Sequence, residues 1–312
     1  MTKTKIGLGL AALGRPDYIN IRQHNNIDKS KTAFKNTAFE VMDFAYKNGV
    51  RYFDTAPSYG LGEQFLLDWK NDRQHKDVLL STKWGYTYVA NWEIGYDGKH
   101  EIKEHSLSKL NEQWEISKAL LPELNIYQVH SATLDSGILN DKSIHERLFQ
   151  LKKEFRLQIG ISTSGSNQSE ILNIANEIQV HNEVLFDSYQ VTYNIFEQST
   201  FETLQNLQVL GKTIIIKEAL ANGRVFTNNN SKKQLETLAK KYNVGIDAIA
   251  LRFVIDTLQP NFMLSGASNT THLSQNLKAL DFKLSTEDLD YLKFLKVDTI
   301  DYWNERSDLV WN

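Results

Sequence analysis

Short apolar runs alternate along the chain with longer stretches in which apolar residues recur at helical spacing. Eight runs have the length of buried strands: Ile6–Ala11, Arg51–Asp54, Val78–Lys83, Ile126–His130, Gln158–Ser162, Ser188–Val191, Thr213–Lys217 and Asn261–Ser265. Strands that alternate with helices predict right-handed crossovers and a parallel sheet. Eight such units in 312 residues favour an α/β fold, a closed (β/α)8 TIM barrel, as one domain over residues 1–312.

Two of the intervening stretches carry an apolar face at the helical period. Their faces consist of Leu107, Leu110, Trp114 and Leu121, and of Leu235, Leu238, Ala239 and Tyr242. Asn48-Gly49 predicts a helix end before the second strand, and Gly160 predicts a close approach inside the fifth strand. Asn228-Asn229-Asn230 predicts a polar loop, and no linker divides the chain.

A doubly wound sheet is the main alternative to the barrel. Such sheets usually open with Gly-x-Gly-x-x-Gly, and an acidic residue ends the second strand at a set spacing. Here Gly7-Leu8-Gly9-Leu10-Ala11-Ala12 lacks the third glycine. We therefore interpret Gly7 and Gly9 as strand or barrel-floor glycines and not as a dinucleotide fingerprint.

Composition narrows the class of protein. Hydrophobic residues make up 41% and charged residues 23%, with a formal net charge of −3 and no basic run, so no nucleic-acid surface is expected. There is no cysteine, which excludes disulfides, thiolate catalysis and cysteine metal sites. Met1–Lys5 has no apolar signal region, and no window approaches about 18 apolar residues. We expect a cytoplasmic protein with no membrane partner.

Four polar residues of matched chemistry lie at or just beyond strand ends. Asp54, Lys83 and His130 end the second, third and fourth predicted strands, and Tyr59 lies in the turn after Asp54. Each type alone has an ordinary structural role, as a helix cap, a core residue or a solvated strand end. Because the carboxyl ends of barrel strands converge on one face, we expect the four side chains to meet there.

This combination suits proton transfer to a carbonyl oxygen. A free tyrosine has a pKa of about 10, and a nearby lysine ammonium would lower it by favouring the phenolate. Asp54 would keep the buried Lys83 charged, and His130 would donate a hydrogen bond to the carbonyl oxygen. Because no side chain supplies hydride, a nicotinamide cofactor is implied. A metal-dependent barrel hydrolase is disfavoured, because Ala11-Ala12-Leu13 follows the first strand where a His-x-His pair would be needed.

The motifs around these residues resemble the aldo-keto reductases nearly end to end, from Gly7-Leu8-Gly9 to Asn276. They are Asp54-Thr55-Ala56-Pro57-Ser58-Tyr59-Gly60, Ser81-Thr82-Lys83 and Tyr127-Gln128-Val129-His130-Ser131. The resemblance implies a barrel that binds NADP(H) without a Rossmann domain. It implies Tyr59 as general acid/base, tuned by Asp54 and Lys83, with His130 orienting a small-molecule carbonyl or alcohol substrate, sugar aldehydes included. It leaves the direction of reaction and the oligomeric state open.

The same resemblance implies cofactor contacts at four strand ends. Ser162 and Gln190 correspond to the residues that hold the nicotinamide amide, although Thr163 replaces the usual asparagine. Lys217 and Leu220 bound a segment in which the family often has an aromatic residue that stacks on nicotinamide. The adenosine-phosphate segment would supply Ser265, Gly266, Ser268, His272, Gln275 and Asn276.

Three questions stay open on the sequence alone. The frequent arginine for the 2′-phosphate is replaced at best by His272, or by Ser268 and backbone amides, so NADP(H) and NAD(H) both stay candidates. The aromatic cluster from Trp84 to Tyr96 is either a self-packed hairpin or a wall of the substrate pocket, and Trp303 and Trp311 either cover the site or anchor the tail. A non-catalytic regulatory subunit on the same barrel, similar to potassium-channel β subunits, is the alternative function.

Overall fold

The computed structural model describes residues 4–18, 28–227 and 231–311. The loop predicted at Asn228-Asn229-Asn230 and most of the segment Met1–Lys5 lie outside these ranges.

Eight parallel strands close into a barrel, as the alternating pattern predicts. They are β1 (Lys5–Gly9), β2 (Tyr52–Asp54), β3 (Leu79–Trp84), β4 (Leu124–Ala132), β5 (Gln158–Thr163), β6 (Ser188–Thr192), β7 (Thr213–Lys217) and β8 (Phe262–Ser265). Each strand pairs in parallel with its neighbours, and β1 pairs with both β2 and β8, which closes the ring. All eight predicted strands are confirmed, with ends that differ by no more than two residues.

Helices surround the barrel. They are α1 (Lys31–Lys47), α2 (Gly62–Arg73), α3 (Leu107–Ser117), α4 (Lys142–Phe155), α5 (Gln168–Glu177), α6 (Phe201–Val209), α7 (Lys232–Tyr242), α8 (Ile246–Leu258), α9 (Thr270–Leu277), α10 (Thr286–Lys293) and α11 (Thr299–Ser307). Within the described ranges, none has both the length and the hydropathy that crossing a bilayer requires.

Two of the predicted helix features are confirmed and one is partly wrong. α1 ends at Lys47, directly before Asn48 and Gly49, and Gly49 adopts φ +86°, which ends a helix without strain. On the predicted face of α7, Leu235, Leu238 and Ala239 are buried, and Tyr242 is partly buried against the core. On α3, Leu110 and Trp114 are buried but Leu107 is exposed, and the helix ends at Ser117, so Leu121 does not continue its face.

Two antiparallel hairpins interrupt the β/α alternation. One pairs Tyr86–Tyr88 with Glu101–Lys103 and follows β3, so it lies at the carboxyl end of the barrel with the strand-end residues. The other pairs Gln179–Val180 with Glu183–Val184 and precedes β6, at the opposite end. A hairpin, one of the two alternatives for the aromatic cluster, is therefore present, although Trp92 packs on Phe34 and Phe65 outside it.

Aromatic and branched side chains fill the floor of the barrel. Tyr52, Ile126 and Ile215 form a buried cluster, and the Tyr52 ring stacks on Phe262 with 4.1 Å between centroids. A Cβ atom on Gly7 would stand 2.5 Å from Cδ1 of Tyr52. Gly7 therefore makes room for the Tyr52 ring, as the interpretation of a barrel-floor glycine requires.

Gly160 makes room for two side chains from the strands on either side of it. A Cβ atom there would stand 2.4 Å from Ser188 Oγ and 2.7 Å from Gln128 Cγ. The close approach predicted at Gly160 is thus made by two side chains. Gln128 in turn donates to Asp54 Oδ1 at 3.2 Å, so the space left by this glycine reaches the predicted active site.

Gly160→Ala should destabilise the barrel by about 1–3 kcal/mol, because overpacking of a close-packed interior forces side chains to shift. Urea unfolding measures the change. Gly9→Ala is the matched control, since an added Cβ on that strand glycine would meet only Ser265 O at 3.7 Å. Equal unfolding midpoints for the two variants would show that the barrel interior yields without strain around Gly160.

Candidate active site

The structure brings together the four strand-end side chains. Lys83 Nζ donates to Asp54 Oδ2 at 2.5 Å and lies 4.8 Å from the centroid of the Tyr59 ring. The rings of Tyr59 and His130 are 5.5 Å apart between centroids and nearly perpendicular, at 84°. A phenol, an imidazole and a buried ion pair therefore share one end of the barrel.

Hydrogen bonds satisfy both members of the buried ion pair. Asp54 is 2% exposed and Lys83 is fully buried. The second carboxylate oxygen of Asp54 accepts from Gln128 Nε2 at 3.2 Å and from Gln190 Nε2 at 2.9 Å, and Lys83 Nζ also donates to Thr55 O at 3.0 Å. Because buried charges are costly without such partners, these contacts fix the pair in place.

The pKa of Tyr59 is raised, which contradicts the expectation that Lys83 lowers it. Burial raises the pKa of Tyr59 well above its usual value, Asp54 raises it further, and Arg15 opposes them. The physical reason is that burial, the largest cause, and the carboxylate of Asp54 both favour the neutral phenol, while the Lys83 ammonium is itself paired with Asp54. Tyr59 consequently holds its proton at neutral pH and can donate it.

His130 is a neutral imidazole. Burial lowers its pKa well below the usual value, and the charges of Lys83, Lys217 and Arg15 lower it further. Its Nδ1 lies 3.3 Å from Ser58 Oγ. If that hydroxyl donates, Nε2 carries the hydrogen and is available as a donor.

A cavity of about 1220 Å³ opens over these groups, with Asp54, Tyr59 and His130 in its wall. Nine of the ten predicted cofactor residues also line it: Ser162, Gln190, Lys217, Leu220, Ser265, Gly266, Ser268, His272 and Asn276. Gln275, which precedes Asn276 on α9, is not among the lining residues, so its contact with the cofactor stays a prediction.

The predicted nicotinamide contacts divide into two groups. Ser162 Oγ accepts from Ser131 N at 2.8 Å, and Gln190 belongs both to the cavity wall and to the Asp54 network. Thr163, in the place of the family's asparagine, bonds to Gln168 Oε1 at 3.3 Å and is fully buried away from the cavity.

A charged cluster occupies the segment after β7, where the family often has an aromatic residue that stacks on nicotinamide. Lys217 Nζ donates to Thr192 Oγ1 at 2.9 Å and to Ser164 Oγ at 3.1 Å, and burial lowers its pKa to about 8 although Glu218 opposes this. Burial alone would raise the pKa of Glu218, but Arg306 at 2.9 Å and Lys217 outweigh it and bring the pKa to about 2. Glu218 adopts φ +53°, and Arg306 belongs to α11, so this cluster joins the last helix to the cavity wall.

The other end of the cavity suits a phosphate group. Ser268 and Asn269 line it just before α9, and the Asn269 side chain accepts from His272 N at 2.8 Å. Amide groups at the start of a helix favour anions. Asn276, with its carbonyl accepting from Ser265 Oγ at 2.8 Å, donates to Asp247 Oδ2 at 2.9 Å. The residues present at the two ends of one cavity therefore fit a dinucleotide.

Sequence reasoning missed several charged residues of this cavity: Arg15, Glu101, Lys232, Asp247 and Arg306. Arg15 follows β1, so the strand-end rule that found the other residues could have found it. Arg306 offers no such signal, because only the folded chain brings α11 to Glu218. Trp311 lines the cavity, whereas Trp303 packs against the core. Within the described ranges, no group of three or more His, Asp or Glu side chains could hold a metal ion.

Comparisons with known proteins agree with this geometry. The model of the Aldo/keto reductase family matches residues 5–296. A Saccharomyces cerevisiae protein with the provisional name aryl-alcohol dehydrogenase is 25% identical over 303 residues, covering 83% of this chain and 76% of its own. An uncharacterised oxidoreductase of Bacillus subtilis is 23% identical and covers 81% of this chain and 85% of its own.

Solved structures share the fold. A Pseudomonas aeruginosa crystal structure, provisionally named an aldo-keto reductase, superimposes with a TM-score of 0.63 at 22% identity and covers 90% of both chains. That likeness concerns the barrel alone, whereas the family model spans both the predicted catalytic residues and most of the cavity wall. The chain belongs to the aldo/keto reductase family of oxidoreductases.

Proposed function

We propose that this protein interconverts aldehydes or ketones and alcohols with NADP(H), and that Tyr59 is the proton donor and acceptor. The observation that carries the proposal is the joint state of Tyr59 and His130. A phenol that keeps its proton and a neutral imidazole face one cavity, and these are the two groups that a carbonyl oxygen needs as it becomes an alcohol.

Each side chain has a defined part in reduction. A nicotinamide cofactor held in this cavity would supply the hydride that the carbonyl carbon needs. Tyr59 gives its phenolic proton to the carbonyl oxygen, and His130 holds that oxygen through a ring N–H. The adjacent Lys83 stabilises the phenolate that remains, and Asp54 fixes Lys83. In the reverse direction Tyr59 accepts the alcohol proton.

The cofactor would lie along the cavity wall described above. Ser162 and Gln190 would hold the nicotinamide amide beside Lys217, and Leu220 would line the path between the two ends. Ser265, Gly266, Ser268, His272 and Asn276 would hold the adenosine phosphates. Lys232 is a cation in the lining of this cavity, and Asp247 is an opposing carboxylate in the same wall.

Aromatic side chains favour a small substrate with an apolar face. Tyr18 and Trp311 line the cavity, and Tyr86 contacts the His130 ring with 4.8 Å between centroids. The name aryl-alcohol dehydrogenase, carried by relatives, fits aryl aldehydes and alcohols, and sugar aldehydes stay candidates. The complete set of four side chains argues against a non-catalytic regulatory subunit. We propose that the protein acts in the cytoplasm, because a protein without cysteine has no disulfides that would need an oxidising environment.

Tyr59→Phe should bind cofactor but lose carbonyl reduction by roughly 10²–10⁴-fold, the contribution of a positioned proton donor. The assay follows NADPH oxidation with 4-nitrobenzaldehyde, and protein fluorescence reports cofactor binding. Tyr291→Phe is the control, because Tyr291 is 42% exposed on α10. A near-normal kcat in Tyr59→Phe would remove Tyr59 from the mechanism.

Preference for NADPH over NADH should be modest, about tenfold to a hundredfold in Kd, or about 1.4–2.7 kcal/mol. Lys232 would attract a 2′-phosphate and His272 would donate a hydrogen bond to it, whereas the carboxylate of Asp247 opposes it. Fluorescence titration with both cofactors measures this preference as a ratio, the Kd of NADH divided by the Kd of NADPH. His272→Ala should lower it, and Asp247→Asn should raise it. A ratio that neither substitution changes would assign the phosphate to Ser268 and backbone amides.

Lys217 should make binding sensitive to the oxidation state of the cofactor. Below its pKa of about 8 the ammonium repels the positive charge of NADP⁺ but not the neutral ring of NADPH. The Kd of NADP⁺ divided by the Kd of NADPH should therefore fall severalfold from pH 6.5 to pH 9.5. Lys217→Met should abolish this trend, whereas Lys212→Met, outside the cavity, should keep it. The same trend in both variants would contradict a role for Lys217.

A further inference from the structure

Arg15 lies against the proton-donating tyrosine in a setting that the proposed mechanism does not use. Its guanidinium carbon is 5.3 Å from the centroid of the Tyr59 ring, 5.0 Å from that of Tyr18 and 4.6 Å from that of Trp311. The residue is 2% exposed. Three aromatic rings thus surround a buried cation that lines the cavity.

Hydrogen bonds tie Arg15 to the turn that carries Tyr59. Its Nη1 donates to the carbonyl oxygen of Ser58 at 3.0 Å and to Glu101 Oε1 at 2.8 Å. Ser58 directly precedes Tyr59, and its hydroxyl also contacts His130. Arg15 therefore links the hairpin strand Glu101–Lys103 to both reacting side chains.

The backbone next to Arg15 is locked against the same turn. Leu61 N donates to Gly14 O at 2.7 Å. A Cβ atom on Gly14 would stand 2.2 Å from Tyr59 O, and one on Gly60, where φ is +63°, would stand 2.4 Å from Gly14 O. With no space between loop and turn, a shift of Arg15 would move Tyr59 as well.

Arg15 changes the pKa of Tyr59 in the direction opposite to that of the nearby carboxylates. Asp54, Glu101 and Glu218 all raise the pKa of the phenol, after burial itself, whereas Arg15 lowers it. Lys83 is the other nearby cation, but Asp54 lies against it. His130 is neutral because its own pKa is well below the usual value.

We propose that Arg15 is a positioning residue for Tyr59: it holds the turn in register and adds a second positive charge to that of Lys83 in stabilising the phenolate, while Glu101 limits the charge of Arg15. This inference rests on the proposed function, because it concerns the proton that Tyr59 transfers. Arg15 acts through Tyr59 and need not contact the substrate.

The test is the pH profile of kcat/KM for benzyl alcohol oxidation with NADP⁺, in which Tyr59 must lose its proton. Arg15→Met should move the midpoint of the rising limb upward by about one pH unit, a tenfold change in ionisation. Arg15→Lys, which keeps the charge, should restore most of that shift. Glu101→Gln should move the midpoint downward.

Arg51→Met is the matched control. Arg51 also stacks on a tyrosine, with 3.8 Å from its guanidinium carbon to the Tyr46 ring centroid, and pairs with Asp77 at 2.6 Å. It precedes β2 and does not line the cavity. Its profile should match that of the unchanged protein, which shows that loss of a stacked arginine alone does not shift the midpoint.

The outcomes separate this inference from the proposed function. A uniform rate loss in Arg15→Met with an unchanged midpoint would overturn it, since a merely structural prop gives that pattern. If Arg15→Met fails to fold, unchanged midpoints in both Arg15→Lys and Glu101→Gln overturn it instead. Tyr59→Phe with normal rates, or a protein that turns over neither benzyl alcohol nor 4-nitrobenzaldehyde, contradicts the proposed function and this inference with it.

Discussion

The buried ion pair between Asp54 and Lys83 is the constraint on which the rest of the active site depends. Two charges without water in a barrel cost several kcal/mol each unless partners satisfy them. Gln128, Gln190 and the carbonyl of Thr55 do so, and Gly160 leaves the space that Gln128 occupies. Strand register, an interior glycine and two glutamines from separate strands are thus explained by one pair of charges.

Burial and the charges of this pair, together with charges farther out, decide how the site titrates. Burial and Asp54 leave the phenol of Tyr59 protonated, and burial with the cations Lys83, Lys217 and Arg15 keeps His130 neutral. The protein therefore holds a proton donor and a neutral hydrogen-bond donor side by side. The same cations would favour a phenolate once the proton has left.

The sequence predicts the barrel and the meeting of Asp54, Tyr59, Lys83 and His130 well, because strand period and strand ends are local signals with one geometric consequence. The sequence does not predict effects that depend on the distances between side chains in the folded protein. The effect of Lys83 on Tyr59 depends on how closely Asp54 approaches the ammonium, and the pairing of Arg15 with Glu101 spans 86 positions. The cofactor contact predicted for Gln275 stays a prediction, because Gln275 does not line the cavity although Asn276, the next residue of α9, does.

Position 218 shows how an active site can override local backbone preference. A left-handed φ is easiest for glycine or asparagine and costs other residues about 1–3 kcal/mol. The chain nevertheless places a glutamate there, at φ +53°, and that carboxylate faces the partly buried cations Lys217 and Arg306. Without the carboxylate, these two like charges would lose the anion that lies within ion-pair distance of both. A glycine introduced to relax the backbone would therefore remove the contact that holds α11 against the cavity wall.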